Sequence, residues 1–168
     1  MSRSLHLSRP PALRAGRLLP AVALLCLAAV AAALVSQHRF DMQPCPWCVL
    51  QRLVFLMIAV VALGGWALRT PMARRVAAGG VGLLALAGAA AALWQHFVAA
   101  NAAACHLTLA DRIVGATGLD QAWPDVFVAW ASCADGKVDL FGLPYEFWSL
   151  ALFVGIAVAA VLSWRQPA

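Results

Sequence analysis

An all-α integral membrane protein, built as a bundle of four membrane-spanning helices, is the fold this sequence predicts. Three observations carry that expectation. Of its 168 residues, 64% are hydrophobic and only 11% charged, where a soluble domain holds about 25% charged residues. The apolar residues gather into four stretches at 18–35, 49–68, 76–97 and 147–164, and each is about the 18–22 residues a helix needs to cross a hydrocarbon core of roughly 30 Å. What remains is too short for a separate soluble domain, so the core must form helix against helix.

The elements follow in order. Residues 1–17 form a tail with Arg3, Arg9, Arg14 and Arg17 ahead of the first span. That pattern has the look of a signal peptide, but the apolar run exceeds the usual signal core of about 7–15 residues, so a retained helix is expected. Cys26 within it follows Leu24 and Leu25, without the small neighbour of a lipoprotein acceptor, and reads as a small apolar residue. A short outward loop, 36–48, leads to the second span; a connection at 69–75 leads to the third. The third span is rich in alanine and glycine, which lets helices approach closely in lipid. A long loop, 98–146, precedes the fourth span and the tail at 165–168.

Charge sets the orientation. With four spans both termini share a side, and that side holds Arg3, Arg9, Arg14, Arg17, Arg69, Arg74, Arg75 and Arg165, against Arg39, Arg112 and Lys137 on the other. The excess of cations places the tails in the cytoplasm and the two longer connections outside. All seven acids lie on or beside the outward segments. The net charge of +5 therefore reflects topology, not a nucleic-acid surface.

Apart from Cys26, every cysteine falls in an outward loop: Cys45 and Cys48 in the first, Cys105 and Cys133 in the second. Spacing alone leaves three readings open. Structural disulfides are one, although a bridge across CxxC closes too small a loop to constrain the unfolded chain much. A tetrahedral metal site is another, although paired CxxC motifs or interspersed histidines would suit it better. The third is a thiol–disulfide relay, in which one pair exchanges with an outside protein and the other with an electron acceptor.

Local chemistry at Pro44-Cys45-Pro46-Trp47-Cys48-Val49-Leu50-Gln51-Arg52 favours the relay. Pro46 suits the first helical position, with Cys45 as N-cap. Cys48 then lies beside unsatisfied backbone N–H groups at the positive end of the helix dipole. Arg52 is one turn further on, and its side chain leans back toward Cys48. Both influences favour a thiolate, the reactive form. An arginine here could instead snorkel to the lipid surface, but a charge inside a span suggests function by default.

These features together resemble the DsbB family, disulfide bond formation protein B. The likeness covers nearly the whole chain. It rests on four spans, two cysteine-bearing loops, the Pro44-Cys45-x-x-Cys48…Arg52 signature, the segment 119–128 leading to Cys133, and Leu140-Phe141-Gly142-Leu143 ahead of Trp148-Ser149-Leu150. The resemblance implies a four-helix bundle in the bacterial inner membrane with two periplasmic loops, the second long and carrying a short membrane-surface helix. The segment 123–130, rich in tryptophan and other apolar residues, suits that surface.

The resemblance also implies redox-active disulfides Cys45–Cys48 and Cys105–Cys133. Cys105 would meet a periplasmic thioredoxin-like oxidase, DsbA, and Cys133 would pass the exchange to Cys45. Cys48 and Arg52 would face a quinone, ubiquinone or menaquinone. This DsbA–DsbB–quinone route is the known means by which the bacterial periplasm is kept oxidising. His96 resembles a family histidine near the quinone, although it stands closer to the loop cysteine than usual; an interface histidine beside Trp94 is the other reading. No metal and no nucleic acid is expected.

Other readings are a paralogue serving a dedicated partner, a four-helix quinone enzyme of the vitamin K epoxide reductase type, and a non-catalytic scaffold with stapled loops. The second usually carries its quinone-facing CxxC late in the chain. Thiol trapping separates the third, since a scaffold stays permanently oxidised.

Overall fold

A computed structural model of the chain describes residues 15–101, 108–134, 139–140 and 142–165. Four long helices dominate it: α1 (Ala15–Phe40), α2 (Pro46–Ala67), α3 (Pro71–Phe97) and, after the long loop, a last helix over Tyr145–Arg165. All four are long and apolar enough to cross a membrane. The first two helices run past their apolar stretches toward each other, so the connection between them narrows to 41–45. Polar residues such as Gln37 and Cys48 thereby lie on helices instead of in a loop.

Within the long loop, α4 (Leu109–Thr117) is followed by single helical turns α5 (Leu119–Ala122) and α6 (Pro124–Phe127), and β1 (Asp139–Leu140) pairs antiparallel with β2 (Leu143–Pro144); the last helix is thus α7. The segment 123–130 forms only the turn of α6 before extending. The loop's longest helix is α4, and its sequence explains both ends. Thr108 Oγ1 accepts from the Asp111 N–H at 3.2 Å while Asp111 Oδ2 accepts from the Thr108 N–H at 2.8 Å, a reciprocal cap. Gly118, at φ 68°, closes it in the left-handed region that glycine enters without strain.

The long helices pack in the order α1–α2–α3–α7, with the α1–α7 seam the thinnest. Leu19, Cys26, Ile58, Val81, Phe153 and Ile156 are fully enclosed at the centre. Phe55 and Phe153 stack there with ring centroids 4.1 Å apart. A Cβ on Gly88 would run into the Phe153 ring, so the glycine permits α3 and α7 to close on one another. On α3 the buried residues Ala77, Val81, Ala85, Gly88, Ala92 and Gln95 recur every three or four positions, a single helical stripe. Its last member is polar, and it arrives beside the N-terminal end of α2.

A second apolar cluster covers that end. Ala110 and Val114 of α4, Phe127 and Cys133 pack on Cys45, Trp47, Val49, Leu50 and Leu53. The Pro44 carbonyl accepts from the backbone N–H groups of Trp130 and Ala131 at 3.0 and 3.3 Å. The long loop is thus tied to the first by backbone as well as by burial.

Candidate active site

The start of α2 follows from its residues. Pro46 occupies the first turn, where no N–H is needed. Cys45, extended at φ −85° and ψ 167°, caps the helix, its sulfur accepting from the Cys48 N–H at 3.3 Å. One turn of helix brings the Cys45 and Cys48 sulfurs to 2.7 Å. Cys133 approaches from the long loop and is hydrogen-bonded both to the Cys45 thiol and to the Trp47 backbone N–H. Cys133, distant in sequence, therefore shares one spot with Cys45 and Cys48, with Cys45 in the middle. Cys105 lies outside the described residues.

The loop-side pair divides its protons unequally. The Cys45 thiol donates to the Cys133 sulfur, which holds Cys133 below the ordinary thiol range against the opposing effect of burial. Cys45 is pushed far above that range by its bonds to Cys133 and Cys48 and by burial. Since a lowered pKa means thiolate at lower pH, fully reduced protein at pH 7 should have Cys133 alkylated at least about tenfold faster than Cys45. Timed iodoacetamide labelling with peptide mass spectrometry checks this, and the gap should close as the pH rises above the range of ordinary thiols.

Cys48 faces the other way. The Gln95 carboxamide on α3 donates through Nε2 to its sulfur at 3.3 Å, and Gln95 Oε1 accepts from Gln51 Nε2 at 2.8 Å. The Arg52 guanidinium, expected to reach the sulfur, is instead fastened by Nη1 to Gln37 Oε1 at 2.8 Å and to the Val126 carbonyl at 3.2 Å. Gln37 in turn donates to the Asp125 carbonyl at 3.1 Å. The difference has a plain cause: α1 continues as helix to Phe40 and carries Gln37 alongside Arg52. The arginine acts on Cys48 as a nearby charge.

Beside these groups, at the thin α1–α7 seam, lies a small open recess lined by Ala33, Ser36, Met42, Gln43, Pro44, Cys48, Arg52 and Tyr145. His96 is not among its lining residues. Its Nδ1 is hydrogen-bonded to Glu146 Oε1 at 2.8 Å, with the ring packed between Phe97 and Phe147. Gln37, Gln51, Gln95, Tyr145 and Glu146 went unremarked in the sequence. The glutamines alone gave a signal, as polar residues at the ends of apolar spans.

Residues 15–163 match the family described as DsbB, disulfide bond formation protein DsbB. The chain belongs to the DsbB family. Among relatives named disulfide bond formation protein B, that of Dechloromonas aromatica is 34% identical over 143 residues, covering 82% of this chain and 84% of that protein. That of Nitrosomonas europaea is 31% identical over 149 residues, covering 86% of this chain and 90% of its own. That of Herminiimonas arsenicoxydans is 33% identical over 139 residues, covering 82% and 87%. This member of the DsbB family is a multi-pass membrane oxidoreductase of disulfide bond formation.

Proposed function

We propose that the chain takes electrons from a periplasmic thioredoxin-like dithiol protein of the DsbA type and delivers them to a membrane quinone, in the bacterial inner membrane with both termini cytoplasmic. The observation that carries this reading is the two-sided placing of the CxxC pair. Cys45 meets Cys133 of the long loop, whereas Cys48 opens on the recess that holds Arg52 and Tyr145.

The relay then runs by disulfide exchange with no external oxidant until its last step. The partner's thiolate attacks Cys105 of the Cys105–Cys133 disulfide, and Cys133 leaves with the electron pair. The partner's second thiolate closes its own disulfide and releases Cys105. Cys133 attacks Cys45, so a Cys45–Cys133 bond forms, the Cys45–Cys48 bond breaks and Cys48 becomes a thiolate. Cys105 restores its bond to Cys133, leaving Cys45 and Cys48 as the reduced pair. Their two electrons and two protons go to the acceptor.

The lining of the recess has the chemistry that a quinone head group needs. Ala33, Met42 and Pro44 offer apolar walls for a flat ring, and the Arg52 guanidinium and Tyr145 phenol are donors for its carbonyl oxygens. A bound quinone, ubiquinone or menaquinone, supplies a two-electron acceptor of high potential, as reoxidation of a strongly oxidising partner requires. Arg52 holds positive charge near the thiolate, and such an acceptor dissolves in the membrane that the four helices would cross. His96, through Glu146 at the start of α7, steadies the helix that carries Tyr145.

Catalytic amounts of the purified protein, mixed with excess reduced DsbA-type protein and a short-chain quinone, should give many turnovers, with one dithiol oxidised per quinone reduced. The loss of quinone absorbance follows the reaction. Absence of turnover with both ubiquinone and menaquinone analogues would overturn the proposal.

A further inference from the structure

The carboxamide pair between α2 and α3 has a direction. Gln51 and Gln95 are both buried, at 4% and 6% exposure, where an unpaired amide group is costly. A carboxamide offers an acceptor at one end and donors at the other. Gln95 Oε1 is taken by Gln51 Nε2, which leaves the Gln95 NH2 turned to Cys48. A turned-over Gln95 would set its NH2 against the Gln51 NH2 and its oxygen against the electron-rich Cys48 sulfur, losing both bonds.

We infer that Gln95, oriented by Gln51, is a positioning residue that selectively stabilises the thiolate form of Cys48. The inference rests on the reading that Cys48 is released as a thiolate during exchange. When Cys133 attacks Cys45, the electron pair of the broken Cys45–Cys48 bond goes to the Cys48 sulfur and no proton moves. A disulfide sulfur accepts a hydrogen bond poorly, and a thiolate accepts one strongly. The Gln95 N–H therefore gains strength as the leaving group forms, from a carboxamide that is itself buried. Charged and titratable groups facing Cys48 are Cys45 and Cys133 on the loop side, Arg52 along α2 and Tyr145 from α7. Besides Cys45, whose sulfur lies 2.7 Å away, Gln95 is the group hydrogen-bonded to the Cys48 sulfur among the described contacts. Being neutral, it adds no charge that would have to be compensated in the span.

A residue serving only as glue between α2 and α3 would have another signature. Its loss would loosen packing, expose Cys48 and speed alkylation at every pH. Loss of a thiolate donor slows alkylation at neutral pH and moves the profile upward.

The test uses the full chain, fully reduced, with timed iodoacetamide labelling from pH 5 to 10 and peptide mass spectrometry of each cysteine. In Gln95→Met, which conserves volume without a donor, Cys48 should react about tenfold more slowly at pH 7, with its midpoint about one unit higher. The Cys133 profile should not move. Gln51→Met, which frees Gln95 to turn, should give a smaller slowing in the same direction, about threefold, and serves alone if Gln95→Met does not fold. An unchanged midpoint, or faster labelling at all pH values, overturns the inference. Labelling requires neither partner nor quinone, so failure of the turnover assay with a shifted Cys48 profile would remove the proposed acceptor and leave Gln95 in its role.

Discussion

Cys48→Ser should lower steady-state quinone reduction by the reduced partner at least about a thousandfold, the scale expected when a reacting nucleophile is removed. The substitution is nearly isosteric. The serine oxygen can still accept from the Gln95 carboxamide that now reaches the Cys48 sulfur, and the α2 start, set by Pro46 and capped by Cys45, is untouched. Loss of activity would therefore report chemistry and not unfolding. The first exchange should survive, because Cys105 and Cys133 remain: about one equivalent of partner dithiol is oxidised and the reaction then stops. Rapid-quench thiol trapping separates that single turnover from the catalytic phase. Full turnover in this variant would sink the relay, as would full exchange with the partner after Cys105→Ser.

Arg52→Met should be costly twice over. The guanidinium is only 6% exposed and its Nη1 is the hydrogen-bond donor to Gln37 Oε1 and the Val126 carbonyl. Truncation leaves both acceptors short of a partner where water does not readily replace it, for about 2–4 kcal/mol of stability in all. Chemical unfolding in detergent micelles measures this. Because Gln37 also holds the Asp125 carbonyl, amide exchange should rise across residues 124–131, the stretch that seats Cys133 against Cys45. Removal of the nearby positive charge should lower quinone turnover about a hundredfold or more. Arg52→Lys should recover part of the turnover but less of the stability, since an ammonium keeps the charge and loses the planar fork. Equal recovery of both would show that the guanidinium's two-sided bonding does not matter.

Much of this protein was legible from local rules. A lipid-length apolar stretch has few alternatives to a helix, because backbone groups in hydrocarbon must pair within their own segment. Four such stretches meant four helices. A Pro one residue after Cys45 and two before Cys48 likewise meant a helix start with its N–H groups turned to sulfur, and the structure has that start. The loop was read less well. Aromatic composition drew attention to 123–130, yet the longer helix is at Leu109–Thr117, where a Thr108–Asp111 cap and Gly118 were present in the sequence as weaker, purely local signals.

What the sequence by itself determined is therefore whatever depends on one segment meeting its solvent: spans, their order and the α2 cap. Only the tertiary structure decided which side chains share a site. Arg52 was expected to lean back toward the Cys48 sulfur one turn away; its hydrogen bonds go to Gln37 from α1 and a loop carbonyl, and Gln95 from α3 bonds to the sulfur. Cys133 likewise meets Cys45 because α4 and Phe127 bury apolar surface on α2. The physical reason is that a hydrogen bond inside a membrane bundle goes to the best-placed partner from any helix. That choice depends on how the helices pack, and sequence distance does not record it.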